Sequence, residues 1–157
     1  TFGLSANAKI ANLDVGAFYV GVATAFPAYL GANGAAAEGV LGAGGINPDA
    51  GGMQKWRARH KEVTGPDADY WASAMTYASL EILEQAITRA GTLDKAAVLA
   101  AIKEGPFQTV MGELDLTNNV NPKFWTVGQW QGGVFYGVAA DGFEDVKEPI
   151  AKAGWGE

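Results

Sequence analysis

Cysteine is absent from this chain, and its absence excludes disulfide bonds, thiolate metal sites and a cysteine nucleophile. Charged residues are also few, at 18% of the 157 residues, and the acidic ones are in excess, so the formal net charge is -6. An acidic surface repels phosphate backbones and anionic lipid headgroups. The composition therefore argues against nucleic acid and membrane surfaces as partners.

Histidine is nearly absent as well. The single one, His60, lies in an Arg-Ala-Arg-His-Lys stretch. Without a second histidine or any cysteine, a metal site would have to be built from carboxylates alone. The neighbouring cations disfavour the protonated imidazole, which makes His60 a poor general base. We expect a solvated side chain here, and neither a metal nor a cofactor.

Recognisable catalytic motifs are missing too. No Gly-x-Ser-x-Gly nucleophile motif occurs, and the glycine-rich segment 42–45 lacks the Lys-Ser/Thr of a phosphate loop. That segment is better interpreted as a tightly packed crossing segment. Glu81 and Glu84 form a carboxylate pair, but we expect both on the wet side of a helix. With no convergent acid, base and nucleophile, the sequence predicts a protein that is not an enzyme.

Apolar residues and glycine are what the chain has in quantity. Hydrophobic residues make up 48% of the sequence, and 22 glycines lie mostly between the apolar stretches, as in a layered α/β fold. The stretch from 15 to 37 carries no charge and is long enough to span a bilayer. However, it contains four glycines and Pro27 in its middle, so a buried strand followed by a loop and a helix is the better interpretation. Because the chain begins at Thr1 with no export signal, we interpret it as a mature protein, a fragment or a trimmed chain.

Periodicity predicts the order of the elements. Helices are expected over 2–13, from Pro27 onward, and over 53–63, 70–89, 95–104 and 144–153. Strands are expected over 17–22, 112–116, 125–131 and 134–139, with a strand end or crossing segment at 39–46. The Gly132-Gly133 pair predicts a hairpin between the last two strands. The apolar stripe of the helix over 70–89 is wide, which predicts a central, buried element.

Two aromatic clusters are the best candidates for a binding site. Tyr70 and Trp71 stand at the start of the longest predicted helix, and Phe26 and Tyr29 flank the loop that leaves the first predicted strand. Open α/β sheets bind their ligands at the loops that follow the strands. Core filling and recognition of a small molecule both stay open for each of these aromatic residues, but their position ranks the two clusters above the rest of the chain as candidates.

Several segments, taken in order, resemble one family. They are Gly34-Ala35-Ala36-Ala37-Glu38-Gly39-Val40, Pro66-Asp67-Ala68-Asp69-Tyr70-Trp71, Ala90-Gly91-Thr92-Leu93-Asp94 and Val127-Gly128-Gln129-Trp130-Gln131. Together they are similar to the C-terminal half of the type I periplasmic substrate-binding proteins of ABC importers, the branched-chain amino acid-binding group. The resemblance implies an α/β fold, specifically a partial type I periplasmic-binding-protein fold of two Rossmann-like, three-layer α/β/α lobes.

The resemblance also implies a division of the chain. Residues 1–44 would be part of the C-terminal lobe, 45–123 part of the N-terminal lobe, and 124–157 a return to the C-terminal lobe. The N-terminal half of such a protein is absent from this sequence. We therefore expect unfinished sheets with exposed apolar surface, and either a missing N-terminal half or self-association to cover it.

The function implied is that of a solute-binding component, exported to the periplasm, that closes on a small ligand and delivers it to an ABC transporter membrane permease. The implied ligand-binding residues lie in the loop after the first strand and at the start of the long helix. They are Val22, Ala23, Thr24, Phe26, Tyr70, Trp71 and Ser73.

The ligand class follows from what that loop lacks. No acid lies between Gly16 and Ala37 to pair with an ammonium group, and a buried ammonium without a counter-charge is costly. The candidates are a branched-chain or hydrophobic amino acid-like ligand and an aromatic acid. The alternative function is a ligand-sensing regulatory or receptor domain of the same fold, which upstream and downstream sequence would distinguish.

Overall fold

The computed structural model describes residues 1–48, 51–121, 126–139 and 146–156. The helices are α1 (Phe2–Ile10), α2 (Pro27–Asn33), α3 (Gly51–Thr64), α4 (Ala72–Ala90) and α5 (Lys95–Ile102). The strands are β1 (Phe18–Tyr19), β2 (Val40–Ala43), β3 (Phe107–Thr109), β4 (Gly112–Leu114), β5 (Val127–Gln131) and β6 (Val134–Ala139). Two short 3-10 turns cover Val22–Ala25 and Gly34–Ala37. Among these described residues, no helix is long and apolar enough to span a bilayer.

The helix ends lie where the sequence signals place them. Pro27 occupies the first turn of α2, where its missing N–H costs nothing. Gly91 ends α4 in the left-handed conformation, at φ 65°, which glycine adopts without strain. Asp94 caps α5, because its carboxylate accepts hydrogen bonds from the backbone N–H groups of Ala96 and Ala97. The predicted helix start at Pro27 is confirmed, and α4 and α5 lie close to the predicted ranges 70–89 and 95–104.

Four strands form the main sheet, in the order β1-β2-β5-β6. β1 lies parallel to β2, while β5 runs antiparallel to both β2 and β6. Gly132 and Gly133, both with positive φ, connect β5 to β6 as the predicted hairpin. β3 and β4 form a separate two-stranded hairpin. The predicted mixture of helices with a mixed sheet, closed by an antiparallel edge hairpin, is confirmed.

Three element predictions need correction. The strand expected over 17–22 shrinks to two residues, because the chain enters the Val22–Ala25 turn directly after it. β3 was not anticipated, since three residues are too few to show a period. The final helix over 144–153 is wrong for residues 146–153, which form no helix, and 144–145 lie outside the described residues.

The C-terminal segment forms no helix because the buried side-chain amide of Gln129 makes hydrogen bonds to its backbone. Gln129 Nε2 donates to the Ile150 carbonyl at 2.7 Å, and the Ile150 N–H donates to Gln129 Oε1 at 2.8 Å. Trp155 then packs edge-on against Phe18, with ring centroids 4.8 Å apart, and its Nε1 donates to the Leu13 carbonyl. Trp155 thereby anchors the C-terminal segment to the N-terminal part of the chain.

Three apolar clusters are present among the described residues, and the smallest joins Ala8, Ala36 and Trp155. The first lies between the main sheet, α2 and the start of α4, and its large members include Tyr29, Tyr70, Trp130 and Phe135. The second joins α4 to α5 and β3 through residues such as Ile82, Val98 and Phe107. Arg89 supports the second cluster, because its guanidinium donates to the carbonyls of Ala101, Gly105 and Pro106.

The long helix differs from its prediction on one side. Ala74, Ala78, Ile82 and Ala86 are buried, but Leu80 is 61% exposed and Leu83 is 43% exposed. The expectation that α4 is a buried element is therefore wrong for the side of the helix that carries Leu80 and Leu83.

Three charged or polar side chains on α3 and α4 differ in their surroundings. Glu81 is not simply solvated, because its Oε2 accepts a hydrogen bond of 2.7 Å from the Val110 N–H. Glu84 is exposed, as predicted. His60 is partly exposed, and its Nδ1 lies 3.2 Å from the hydroxyl oxygen of Thr64 at the protein surface. Val63 was expected on the buried face of α3 but is 65% exposed.

A buried phenol provides the first prediction. Tyr29 is fully buried, its hydroxyl lies 2.7 Å from Ser5 Oγ, and burial raises the pKa of Tyr29 above its ordinary value of 10.0, with the Ser5 hydrogen bond opposing the shift. Tyr29→Phe should cost about 1 kcal/mol at pH 8 by leaving Ser5 unpaired. Because the folded-state pKa is raised, this advantage of tyrosine is complete below pH 10.0 and is lost as the pH rises through the folded-state value.

Urea unfolding of both proteins at about pH 8 and about pH 11 checks this expectation. The stability difference between wild type and Tyr29→Phe should shrink or reverse at the higher pH. A difference that is the same at both values would contradict the burial of a protonated phenol.

Candidate ligand-binding site

Two segments far apart in sequence are joined by a backbone hydrogen bond, and the side chain of a third residue holds one of them. The Tyr70 N–H donates to the Ala25 carbonyl at 2.9 Å, which ties the start of α4 to the Val22–Ala25 turn. Trp130 Nε1 donates to the Thr24 carbonyl, also at 2.9 Å, so β5 holds the same turn from the sheet side. The loop after β1 and the aromatic corner before α4 are therefore neighbours.

Glycines in β2 and just after it allow this approach. A Cβ atom at Gly42 would overlap the Thr24 hydroxyl and lie 2.9 Å from the Gly21 carbonyl oxygen. A Cβ atom at Gly44, where φ is 108°, would lie 2.8 Å from Trp71 Cβ. The absence of a side chain at these two positions therefore lets the turn approach β2, and lets Trp71 approach the segment just after β2.

Within the turn, Thr24 faces inward. It is fully buried, and its hydroxyl lies 2.9 Å from the Val20 carbonyl oxygen and 2.7 Å from that of Gly21, so it can donate to either. Val22 is 37% exposed, and Ala23 and Phe26 are half-buried. The surface of the turn is therefore made by the side chains of these three residues, while Thr24 stabilises the turn from below.

At the aromatic corner, Tyr70 and Trp71 have different positions. Tyr70 is buried, edge-on to Trp130 with ring centroids 5.6 Å apart, and the Arg57 guanidinium lies 4.3 Å above its ring. Trp71 is only half-buried. Tyr70 thus belongs to the core that supports the corner, and Trp71 is the aromatic group that reaches its surface.

Asp69 organises the start of α4. This carboxylate is 8% exposed and accepts hydrogen bonds from the backbone N–H groups of Trp71, Ala72 and Ser73, at 2.8, 2.5 and 3.2 Å for the shortest contact of each. The Ser73 hydroxyl also donates to Asp69 Oδ2. A negative charge at a helix N-terminus is favourable, because the first amides of a helix have no internal partner. Ser73 therefore acts within this cap.

The cap formed by Asp69 was not predicted from the sequence. A local signal for this cap was present in the sequence. Asp69 stands just before the periodic apolar residues of α4, with Ser73 four residues later, and such polar residues are common at helix starts. The supporting roles of Trp130 and Gly42 had no comparable local signal. All seven predicted site residues lie on the joined segments, and their contact with a ligand stays a prediction.

Other places offer little competing chemistry. Within the described ranges, no group of three or more His, Cys, Asp or Glu side chains is placed to hold a metal ion. An apolar depression of about 130 Å³ lies between α4 and the β3–β4 hairpin, lined by residues that include Met75, Ile82, Met111 and Leu114. It lacks charged groups and is separate from the turn and Trp71.

Residues 2–133 match the model of a family described as periplasmic binding protein. No curated protein sequence matches the chain. Among solved structures, the chain is similar to a leucine-binding protein from Thermotoga maritima MSB8, with a TM-score of 0.70 and 22% identity over 88% of this chain and 40% of that one.

Two further solved structures share the fold. One is a leucine-, isoleucine-, valine-, threonine- and alanine-binding protein from Brucella ovis, with a TM-score of 0.68 and 19% identity over 94% of this chain and 42% of that one. The other is a solute-binding protein of an ABC transporter from R. palustris in complex with benzoate, with a TM-score of 0.55 and 17% identity over 74% of this chain and 34% of that one. The chain spans about two fifths of the length of these structural relatives.

Proposed function

This chain belongs to the periplasmic binding protein family, and from that membership we propose that it forms part of the solute-binding component of an ABC importer. It captures a small organic ligand between two lobes in the periplasm and presents it to the membrane permease. Its chemistry is recognition alone, without turnover. The family is one of binding proteins, which supports this proposal.

The proposal includes the division of the chain between the lobes. Residues 1–44 and 124–157 contribute to one lobe and 45–123 to the other, although the second boundary lies outside the described residues. In support, β1, β2, β5 and β6 form one sheet, whereas α4, α5 and β3 share a second apolar cluster. Gly44 and Gly45, both with positive φ, lie at the first boundary.

The observation that carries the proposal is the junction between the Val22–Ala25 turn and the start of α4. It ties the Val22–Ala25 turn to Tyr70, the residue before Trp71, so elements of both proposed lobes meet there. The meeting place of two α/β units is where such folds bind small molecules.

The ligand that fits this wall is apolar or aromatic and carries an acid group. The exposed side chains of the turn and the aromatic corner are apolar, and no carboxylate from the stretch between Gly16 and Ala37 is present to receive an ammonium. Benzoate, named with one structural relative, is an aromatic ring that bears a carboxylate and no ammonium, whereas leucine, named with another, bears both charged groups. An aromatic acid is favoured because Trp71 offers a ring surface.

Benzoate titrated into the 157-residue chain, followed by saturation-transfer NMR on the ligand, tests this function. Because one wall of the site gives only part of the contacts, we expect saturable binding with a Kd of about 1 mM. Trp71→Ala should weaken it by about tenfold or more, since aromatic anchors dominate such sites. Trp56→Ala on α3 is the matched control and should leave the Kd unchanged. Absence of saturable binding, or equal loss in both variants, would contradict the proposed site.

A further inference from the structure

The end of α2 carries two neighbouring groups that can react with each other. Asn33 is the last residue of α2 and Gly34 follows it, and no other asparagine of the sequence precedes a glycine. The backbone nitrogen of the residue after an asparagine can attack the side-chain carboxamide and close a five-membered ring. Because glycine has no Cβ to hinder that closure, the Asn33–Gly34 pair is the place in the sequence where the reaction is least obstructed.

Both residues have a structural role at this helix end. Gly34 has φ 52°, a left-handed value that glycine adopts without strain, and its N–H donates to the Leu30 carbonyl. Asn33 Nδ2 donates to the Tyr29 carbonyl at 2.8 Å. These two hydrogen bonds hold the last turn of α2 together. The fold therefore uses the same two residues that make this position chemically labile.

The same hydrogen bonds restrain both reacting groups in the folded chain. The Gly34 N–H is engaged with the Leu30 carbonyl, and its nitrogen has to give up this hydrogen in order to attack. The Asn33 carboxamide is held toward Tyr29, four residues earlier in the helix, and so away from the residue that follows it. The reaction consequently requires the last turn of α2 to open first.

Several features make the last turn of α2 easy to open. The helix has seven residues and no side-chain cap at its start, and helices this short have little stability of their own. Gly31 lies within it and lowers that stability further. Tyr29 is buried in the core, whereas Gly31, Ala32 and Gly34 are exposed. Exposed helix ends of this kind open locally, while the rest of a protein stays folded.

From these observations we propose that Asn33 is a site of spontaneous deamidation, and that opening of the last turn of α2 controls the reaction. The Gly34 nitrogen forms a bond to Asn33 Cγ, the Cγ–Nδ2 bond breaks, and the amide leaves as ammonia with the proton from the Gly34 nitrogen. Water then adds across one of the two C–N bonds of the cyclic imide, which gives an aspartate or an isoaspartate linkage. No oxidant or reductant takes part, and the inference does not depend on the proposed function.

The product changes the end of α2 permanently. A carboxylate at position 33 cannot donate to the Tyr29 carbonyl, and its negative charge at the C-terminal end of a helix is unfavourable. Asn33→Asp reproduces the aspartate product and should show faster hydrogen exchange of α2 amides than the wild type. Asn7→Asp on α1 is the matched control and should leave α2 exchange unchanged. Equal α2 exchange in Asn33→Asp and the wild type would overturn the role assigned to the Asn33 amide.

Timed incubation of the 157-residue chain, followed by peptide mapping with mass spectrometry, measures the reaction itself. In guanidinium chloride above the unfolding midpoint, Asn33 should convert faster than Asn7 and Asn12, which precede alanine and leucine. In the native chain its conversion should be slower by about tenfold or more, because the last turn of α2 is closed most of the time. Equal rates in the native and unfolded chains, or no preference for Asn33 in the unfolded chain, would overturn the inference.

Gly31→Ala tests whether α2 controls the rate. A Cβ atom at Gly31 would have no neighbour within 4 Å outside its own helix, and alanine favours the helix, so native conversion should slow by about two- to fivefold. Gly3→Ala in α1 makes the same change at another exposed helical glycine and should leave the rate at Asn33 unchanged. In denaturant, all three chains should convert alike. A native rate that Gly31→Ala does not slow, or that Gly3→Ala slows equally, means that α2 opening is not the controlling step and overturns the proposal.

Discussion

Replacing Trp130 with alanine should lower the free energy of unfolding by about 3–5 kcal/mol, the range for large aromatic side chains in a core. Trp130 is 1% exposed, contacts the rings of Tyr70 and Phe135, and donates its Nε1 hydrogen to the Thr24 carbonyl. The variant removes the side chain that holds the turn, the sheet and the aromatic corner together. Loss of the junction should therefore accompany loss of stability.

Urea unfolding of Trp130→Ala, compared with Trp56→Ala, measures this effect. Trp56 is also a tryptophan but is only half-buried on α3, so its removal should cost clearly less. Trp130→Phe separates packing from the hydrogen bond, and should cost less than alanine because it keeps a ring in the core. A cost for Trp130→Ala below about 1 kcal/mol would contradict a central role for this residue.

Replacing Asp69 with alanine should have the second large effect, about 2 kcal/mol on unfolding, the upper end for an N-terminal cap. The buried carboxylate pairs the N–H groups of Trp71, Ala72 and Ser73, and these would lose their partner together. The same change frees Trp71 from its fixed backbone position. Benzoate binding should therefore weaken by about tenfold even though Asp69 does not face the ligand.

Asp94→Ala is the matched control for this experiment, because Asp94 caps α5 in the same chemical way but lies at the other end of α4. It should cost about 1 kcal/mol of stability and leave the benzoate Kd unchanged. The two variants together distinguish a general loss of helix capping from a specific effect on Trp71. Equal effects on binding would contradict a positioning role for Asp69.

Local signals predicted much of this fold. Pro27, Gly91 and Asp94 each fix a helix end through their own backbone chemistry, and a window of a few residues contains that information. The β5–β6 hairpin follows for the same reason from its two glycines. The resemblance to the periplasmic binding proteins rested on ordered short segments, and the family match over residues 2–133 confirms it.

Contacts distant in sequence account for what local signals missed. The Trp130–Thr24 hydrogen bond joins residues that no sequence window contains together. The terminal segment had enough helical pattern for a helix, but Gln129 takes the backbone groups of Ile150 that a helix would have used. Tertiary partners therefore override local preference there.

Burial was the hardest property to predict at the candidate site. Thr24 and Tyr70 were chosen as residues that face a ligand, and the structure places both side chains inside, where they support Val22, Ala23, Phe26 and Trp71. The sequence pointed to two segments that the structure joins, because their positions after a strand and before a helix are visible locally. It could not say which side chain of each segment points outward, since that depends on the glycines of β2.

The most direct test is a map of where benzoate binds, from amide chemical shifts of the isotope-labelled chain during a titration. If these residues form one wall of a solute-binding cleft, the largest shifts will cluster in the Val22–Ala25 turn, at Phe26 and at Trp71. Shifts that instead concentrate around Met75 and Met111, in the depression beside the β3–β4 hairpin, would contradict the account.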